Sequence, residues 1–102
     1  MEIFTDGPTI LLSGDFDVRS TMEVRNAIYE HLHGHDEDVV IDLTDVSTID
    51  MTALKVLAVA TRQASRDGHH LTLRGCGPSV RRMLTLTRLG RMVERERSAV
   101  SA

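Results

Sequence analysis

The stretch Val39-Val40-Ile41-Asp42-Leu43-Thr44-Asp45-Val46-Ser47-Thr48-Ile49-Asp50-Met51-Thr52-Ala53-Leu54 decides how this chain folds. Val39 to Leu43 is largely apolar and rich in β-branched residues. A strand apolar on both faces is expected at the centre of a sheet. Thr44 to Asp50 then reads as a loop that ends in a helix cap. The Asp50 carboxylate can accept the amide of Thr52 or Ala53, which makes it an N-cap. Beyond it, Leu54, Leu57, Ala58, Thr61 and Ala64 share one face of a helix that runs to about Asp67. Gly68 ends that helix.

The flanks extend the pattern. Ile3-Phe4 is expected as a short edge strand, followed by the turn signal Asp6-Gly7-Pro8. Thr9 to Ser13 is a second strand, ended by Gly14. Val24, Ala27, Ile28 and Leu32 form the stripe of an amphipathic helix. Ser20 or Thr21 caps it, Glu23 completes a capping box, and Gly34 stops it. The acidic run Asp36-Glu37-Asp38 leads into the central strand. Leu71-Thr72-Leu73 is a further strand and Gly75-Cys76-Gly77 a turn. Pro78 opens a third helix, with Val80, Met83, Leu84 and Thr87 inward. Gly90 ends this segment, Met92-Val93 adds a last short strand, and a polar, frayed tail begins near Arg95. The order β-β-α-β-α-β-α implies right-handed crossovers. The expected fold is a single α/β domain over residues 1–102, ordered over about 2–94. Its small, mixed, mostly parallel sheet has four to five strands, flanked by three to four helices on one or both sides.

The composition agrees. A length of 102 residues suffices for one domain, and 41% hydrophobic with 26% charged residues is a globular balance. Cys76 is the single cysteine, so no internal disulfide exists, which fits a reducing compartment. The start Met1-Glu2-Ile3-Phe4-Thr5-Asp6 lacks the pattern of a signal peptide. No apolar run nears the roughly 18 residues of a membrane span. A cytoplasmic protein without direct membrane insertion is expected. The net charge of −3 argues against general affinity for nucleic acid. Its distribution is uneven, with −9 over residues 1–60 and +6 over residues 61–102. Such a dipole favours a partner with matching charge segregation.

No catalytic constellation stands out, and no metal set or cofactor motif is expected. Gly75-x-Gly77 lacks the third glycine of a dinucleotide fingerprint, since that position is Val80. His31, His33 and His35 read as exposed helix-end residues, and no nearby cysteine completes a zinc set. Arg81, Arg82, Arg88, Arg91, Arg95 and Arg97 form a basic C-terminal third with no aromatic among them to stack on bases. The informative feature is Thr52, a hydroxyl in the first turn of a helix behind a capping Asp. A phosphate there would gain the helix dipole but face Asp50 and the acidic N-terminal half.

Three stretches, in order and spacing, resemble the STAS domain of bacterial anti-sigma factor antagonists. They are Gly14-Asp15-Phe16-Asp17, Val40-Ile41-Asp42-Leu43-Thr44-Asp45-Val46 with Ile49-Asp50, and Leu73-Arg74-Gly75 with Pro78-Ser79-Val80-Arg81-Arg82-Met83-Leu84 and Leu89. The resemblance covers about Ile3 to Val93. It implies a non-enzymatic antagonist that binds a GHKL-type anti-sigma factor kinase and releases it when phosphorylated, with a PPM-type phosphatase to restore it. The family's usual acceptor follows the loop Asp, and here that position is Met51. Thr52, at the second hydroxyl position, is the candidate phosphoacceptor. The expected partner-binding residues are Asp15, Asp17, Ser47, Asp50, Met51, Thr52 and Lys55. Two other roles suit the same resemblance. One is a STAS accessory subunit that docks on the ATPase of a lipid-transport ABC complex, the other a phosphorylation-independent signalling scaffold.

Overall fold

The turn at Gly7-Pro8 folds β1 (Glu2–Asp6) back on β2 (Thr9–Phe16), with Glu2 opposite Ser13 and Asp6 opposite Thr9. The computed structural model describes residues 1–34 and 38–95. His35, Asp36, Glu37, Arg97 and the rest of the expected tail beyond Arg95 lie outside the described residues, while Arg95 itself is in a strand and not frayed. After β2 come α1 (Thr21–Gly34), β3 (Val39–Ile49), α2 (Met51–Arg66), β4 (Leu71–Arg74) and α3 (Pro78–Thr87). A 3-10 turn (Leu89–Arg91) and β5 (Glu94–Arg95) follow. The sheet order is β1-β2-β3-β4-β5, and every pair after the first is parallel. This is the mixed, mostly parallel sheet that the sequence predicts, with five strands out of the expected four to five.

Each parallel step moves the same way across the sheet, so right-handed crossovers lay the three helices on one face. Burial along the strands agrees. Ile10, Leu12, Ile41, Leu43, Leu71 and Leu73 are at most 1% exposed. Their alternating neighbours Leu11, Val40, Asp42 and Thr72 are only half-buried. Val24 and Ile28 of α1, Leu54 and Leu57 of α2, and Val80 and Leu84 of α3 close the core from the helix side. Thr61 also lies in this layer, and its hydroxyl donates to the Leu57 carbonyl at 2.8 Å. β3 is central, as expected, but only one of its faces is closed. Val40 belongs to the open face, in register with Thr9 and Thr72.

Several boundaries differ from expectation. Thr44 to Ile49 is strand rather than loop, and Gly14 lies inside β2 rather than ending it. The pairing of β2 with β3 explains both. The register steps from Leu11–Asp42 to Ser13–Asp45, and again from Gly14–Val46 to Asp15–Thr48, so β3 carries an extra residue at each step. Each bulge resets the inside-outside alternation. The exposed Thr44, Asp45, Ser47 and Thr48 therefore read as a polar loop. Gly14 takes φ +101° beside the second step, a setting that suits glycine. At the far end, Met92 still belongs to the 3-10 turn, its amide donating to the Leu89 carbonyl at 2.9 Å. The last strand is thereby displaced from Met92-Val93 to Glu94–Arg95. The capping box of α1 does not form as expected. The Ser20 amide donates to the Asp17 carbonyl at 3.0 Å rather than to Glu23.

The turn after β4 packs against the first bulge of β3. Gly75 has φ +69°, and a Cβ there would collide with the Thr44 hydroxyl and lie 3.0 Å from the Thr44 nitrogen. Gly77 caps α3 in an extended conformation, and Pro78 takes the first helical position. Gly75→Ala adds left-handed backbone strain to a backbone clash, and should cost about 2–4 kcal/mol. Urea unfolding should show a lower midpoint with an unchanged slope.

Candidate functional site

β2 and β3 end side by side, and each hands the chain to a helix. The Asp50 amide donates to the Phe16 carbonyl at 3.2 Å, so the backbones stay joined where the strands stop. The Asp50 side chain then makes two bonds. Oδ1 accepts the Ala53 amide at 2.8 Å, the expected N-cap contact. Oδ2 accepts the Val18 amide at 3.0 Å. One carboxylate thus ties the start of α2 to the loop between β2 and α1.

That loop has its own lock. Asp17 Oδ1 accepts the Arg19 amide at 2.9 Å, and Asp17 Oδ2 lies 2.7 Å from the Arg19 guanidinium. The guanidinium and the Arg19 amide hold the Asp17 carboxyl below its ordinary value. The pair is exposed, so its contribution to stability is small. It is present at neutral pH and fades as acid protonates Asp17. Nearby, the Thr48 hydroxyl donates to Asp15 Oδ1 at 2.8 Å.

Met51 and Thr52 are both exposed in the first turn of α2, Met51 by 42%. Among the described residues the Thr52 hydroxyl has no hydrogen-bond partner. Thr52 lines a groove between α1 and α2, together with Arg25, Tyr29, Lys55, Val56 and Val59. The Arg25 guanidinium lies 5.0 Å from the centre of the Tyr29 ring, a cation–π contact. The groove therefore has an apolar lining and two cations. A phosphate on Thr52 would share it with Arg25 and Lys55, and not only with the acidic groups expected from sequence.

The expected contact residues divide into two groups. Asp15 and Asp17 line a hollow with Met1, Arg19, Ser20 and Glu23. Thr52 and Lys55 line the α1–α2 groove. Asp50 joins the two through its bonds to Val18 and Ala53. Ser47 is exposed on the bulged half of β3, and Met51 and Lys55 are exposed one turn apart on α2. Sequence reasoning missed Arg25, Tyr29 and Val59. The available signal was Val59, an apolar residue out of step with the buried stripe of α2 and 56% exposed.

His31 and His33 each contact a carbonyl of the chain itself. His31 Nε2 lies 2.6 Å from the Gly7 carbonyl and His33 Nδ1 lies 2.6 Å from the Tyr29 carbonyl. A ring N–H donates to the carbonyl in each case. Among the described residues, no helix is long and apolar enough to cross a membrane.

Residues 4–94 match the sequence model of a family described as "Mlab, STAS domain". This chain belongs to the STAS-domain family. A STAS-domain-containing protein of Pseudomonas aeruginosa is 29% identical over 79 residues, covering 78% of this chain and 77% of that one. An anti-sigma factor antagonist from Mycobacterium paratuberculosis shares the fold with a TM-score of 0.75 at 20% identity, over 98% of this chain and 86% of the other. The Bacillus anti-sigma factor antagonist SpoIIAA, in its unphosphorylated form, gives a TM-score of 0.68 at 12% identity, over 98% and 90%. At these identities the likeness to the antagonists shows a shared STAS fold.

In this STAS domain, Asp50→Ala removes the helix cap and the inter-loop bond together. It should cost about 2–3 kcal/mol, against about 1 kcal/mol for a cap alone. Asp50→Asn keeps a capping oxygen but cannot accept both amides, and should cost about 1 kcal/mol. Urea unfolding of the two variants separates these contributions.

Proposed function

We propose that this STAS domain is an anti-sigma factor antagonist, a non-enzymatic module that binds a GHKL-type anti-sigma factor kinase. The start of α2 forms the contact and Thr52 is the phosphorylation switch. The observation that carries this reading is the placement of Thr52. Its hydroxyl is exposed, has no partner among the described residues, and stands at a helix N-terminus on an apolar groove with Arg25 and Lys55.

Unmodified, that groove offers apolar surface and two positive charges to a partner. A phosphate brings about −1.5 to −2 charges, enough to cancel both cations. The helix N-terminus favours that charge. One surface then exists in two electrostatic states without refolding. Met51, at the family's usual acceptor position, supplies an adaptable apolar contact. Asp15, Asp17 and Ser47 extend the contact edge. A PPM-type phosphatase resets the switch, any ATP belongs to the kinase, and the exchange takes place in the cytoplasm to regulate transcription.

A second reading is favoured by Met51. With no hydroxyl at the usual acceptor, the same helix start serves as a constant contact. The chain is then a STAS accessory subunit on the ATPase of a lipid-transport ABC complex. A pull-down from native lysate, with mass spectrometry of the prey and of the Thr52 peptide, separates the two. A GHKL-type ATPase as main prey supports the antagonist, and phosphate on Thr52 supports the switch. An ABC ATPase with its permease transfers the assignment to the second reading.

Two substitutions test the site. Thr52→Glu should weaken partner binding at least about tenfold by calorimetry, roughly 1.4 kcal/mol, with the fold intact. Unchanged affinity removes Thr52 from the switch. Met51→Ser should gain one phosphate when incubated with the cognate kinase and Mg-ATP. Absence of that mass shift counts against the placement of the acceptor at position 51.

A further inference from the structure

The sheet has one bare face. Helices α1, α2 and α3 all pack on the side of the buried strand residues, and among the described residues no helix covers the other. Three of the four strand pairs are parallel. Antiparallel sheets commonly leave one face to water, whereas parallel sheets occur almost only with both faces covered. This sheet therefore lacks a cover. Its bare face also carries an apolar stripe. Phe4 is 55% exposed and in register with Leu11. Leu11 lies two residues from Thr9, the register partner of Val40. Leu11 and Val40 are half-buried, so the stripe crosses β1, β2 and β3 without a gap. None of the three lines the α1–α2 groove.

Acids border the stripe on both sides. Glu2 and Asp6 stand two residues before and after Phe4, on the same face of β1. Asp42 is the register partner of Leu11, and Glu94 is that of Thr72 at the far edge. Asp42 Oδ1 accepts the Thr44 amide at 2.9 Å, which orients the carboxylate and leaves its charge in place. Arg74 lies beside Asp42, and His70 Nδ1 lies 3.1 Å from Glu94 Oε2. Among the described side chains, four carboxylates thus outnumber one guanidinium and one imidazole on this face.

We propose that this bare face docks a basic amphipathic helix of a partner protein. The helix sets its apolar side on Phe4, Leu11 and Val40 and turns Lys or Arg toward the surrounding acids. The stripe spans two strand spacings of about 4.8 Å, close to the roughly 10 Å width of a helix. A helix is also what covers the other side of this sheet. Charge selects among occupants. A second copy laid face to face would oppose acids with acids, and nucleic acid or an anionic lipid surface would meet the same repulsion. The bare face and the α1–α2 groove lie on opposite sides of the molecule, so each can hold a partner at the same time. Thr52 takes no part in this contact.

The test is an NMR titration of the amide resonances at about 0.15 M salt, where loose surface attraction is screened. The probe is a synthetic helix of about 18 residues, with leucine at i, i+3, i+4 and i+7 and lysine elsewhere. Saturable shifts centred on Phe4, Leu11 and Val40 are expected. A peptide of equal composition with its leucines spread around the helix should bind at least about tenfold more weakly. Phe4→Lys should weaken binding of the first peptide at least about tenfold with the melting temperature unchanged. Glu2→Gln combined with Asp6→Asn should weaken it at least about threefold and flatten its salt dependence. Absence of saturable shifts, shifts centred on the α1–α2 groove, equal binding of the two peptides, or full affinity in Phe4→Lys would overturn the proposal. A dimer in sedimentation equilibrium that Phe4→Lys dissociates would give the face to a second copy and overturn it too. So would binding to phosphatidylglycerol vesicles that Phe4→Lys abolishes, which assigns the face to a lipid surface.

Discussion

The Asp50 carboxylate is the constraint on which the working end of the molecule depends. Its two oxygens take amides from segments 32 residues apart in sequence, Val18 before α1 and Ala53 within α2. Both amides belong to segments that need outside partners, since a loop and a first helical turn leave N–H groups free. A single half-buried acceptor satisfies both and fixes the spacing of the two helix starts. The groove between α1 and α2 inherits its shape from that spacing. Its chemistry therefore rests on a residue that does not line it.

Much of this was legible in the sequence, because it follows from local rules. Val39 to Leu43 is apolar enough to be a central strand. Asp50 lies where an N-cap must lie, and the stripe of α2 has a clear period. What escaped notice came from interactions that leave no local pattern. The two bulges of β3 reset its alternation, so its second half reads as loop although it pairs with β2 as far as Ile49. The one-sided covering of the sheet was hidden by Val40, apolar yet on the open face. Thr52 was identifiable from its place behind a cap. Its neighbours Arg25 and Tyr29 come from α1, and only tertiary packing brings them beside it. The left-handed setting of Arg88, at φ 61° after α3, was invisible for a simple reason. That setting favours glycine, and arginine carries no signal for it.

The charge asymmetry of the sequence becomes spatial in the fold. Asp15, Asp17 and Glu23 surround one hollow, and Arg88, Arg91 and Arg95 another. The α1–α2 groove is neither, since its lining is mostly apolar with a cation on each helix. A small STAS domain thus carries three chemically different surfaces on one core. Each is held by elements whose inner faces are committed to the same packed cluster. Changes to the outward side chains can alter one surface while leaving the others and the core in place.

The edge strand β1 has a further consequence. One side of its backbone pairs with β2, and the other meets no strand among the described residues. Its middle residue, Phe4, is 55% exposed, which on its own invites another strand to add there. Glu2 and Asp6 bracket that ring at equal spacing. An antiparallel second copy centred on Phe4 would place ring against ring, but would also set Glu2 against Asp6 at both ends. Two opposed carboxylate pairs at cross-strand distance outweigh one aromatic contact. The edge is thereby guarded against pairing with a second copy, by two exposed acids that contribute nothing to the core.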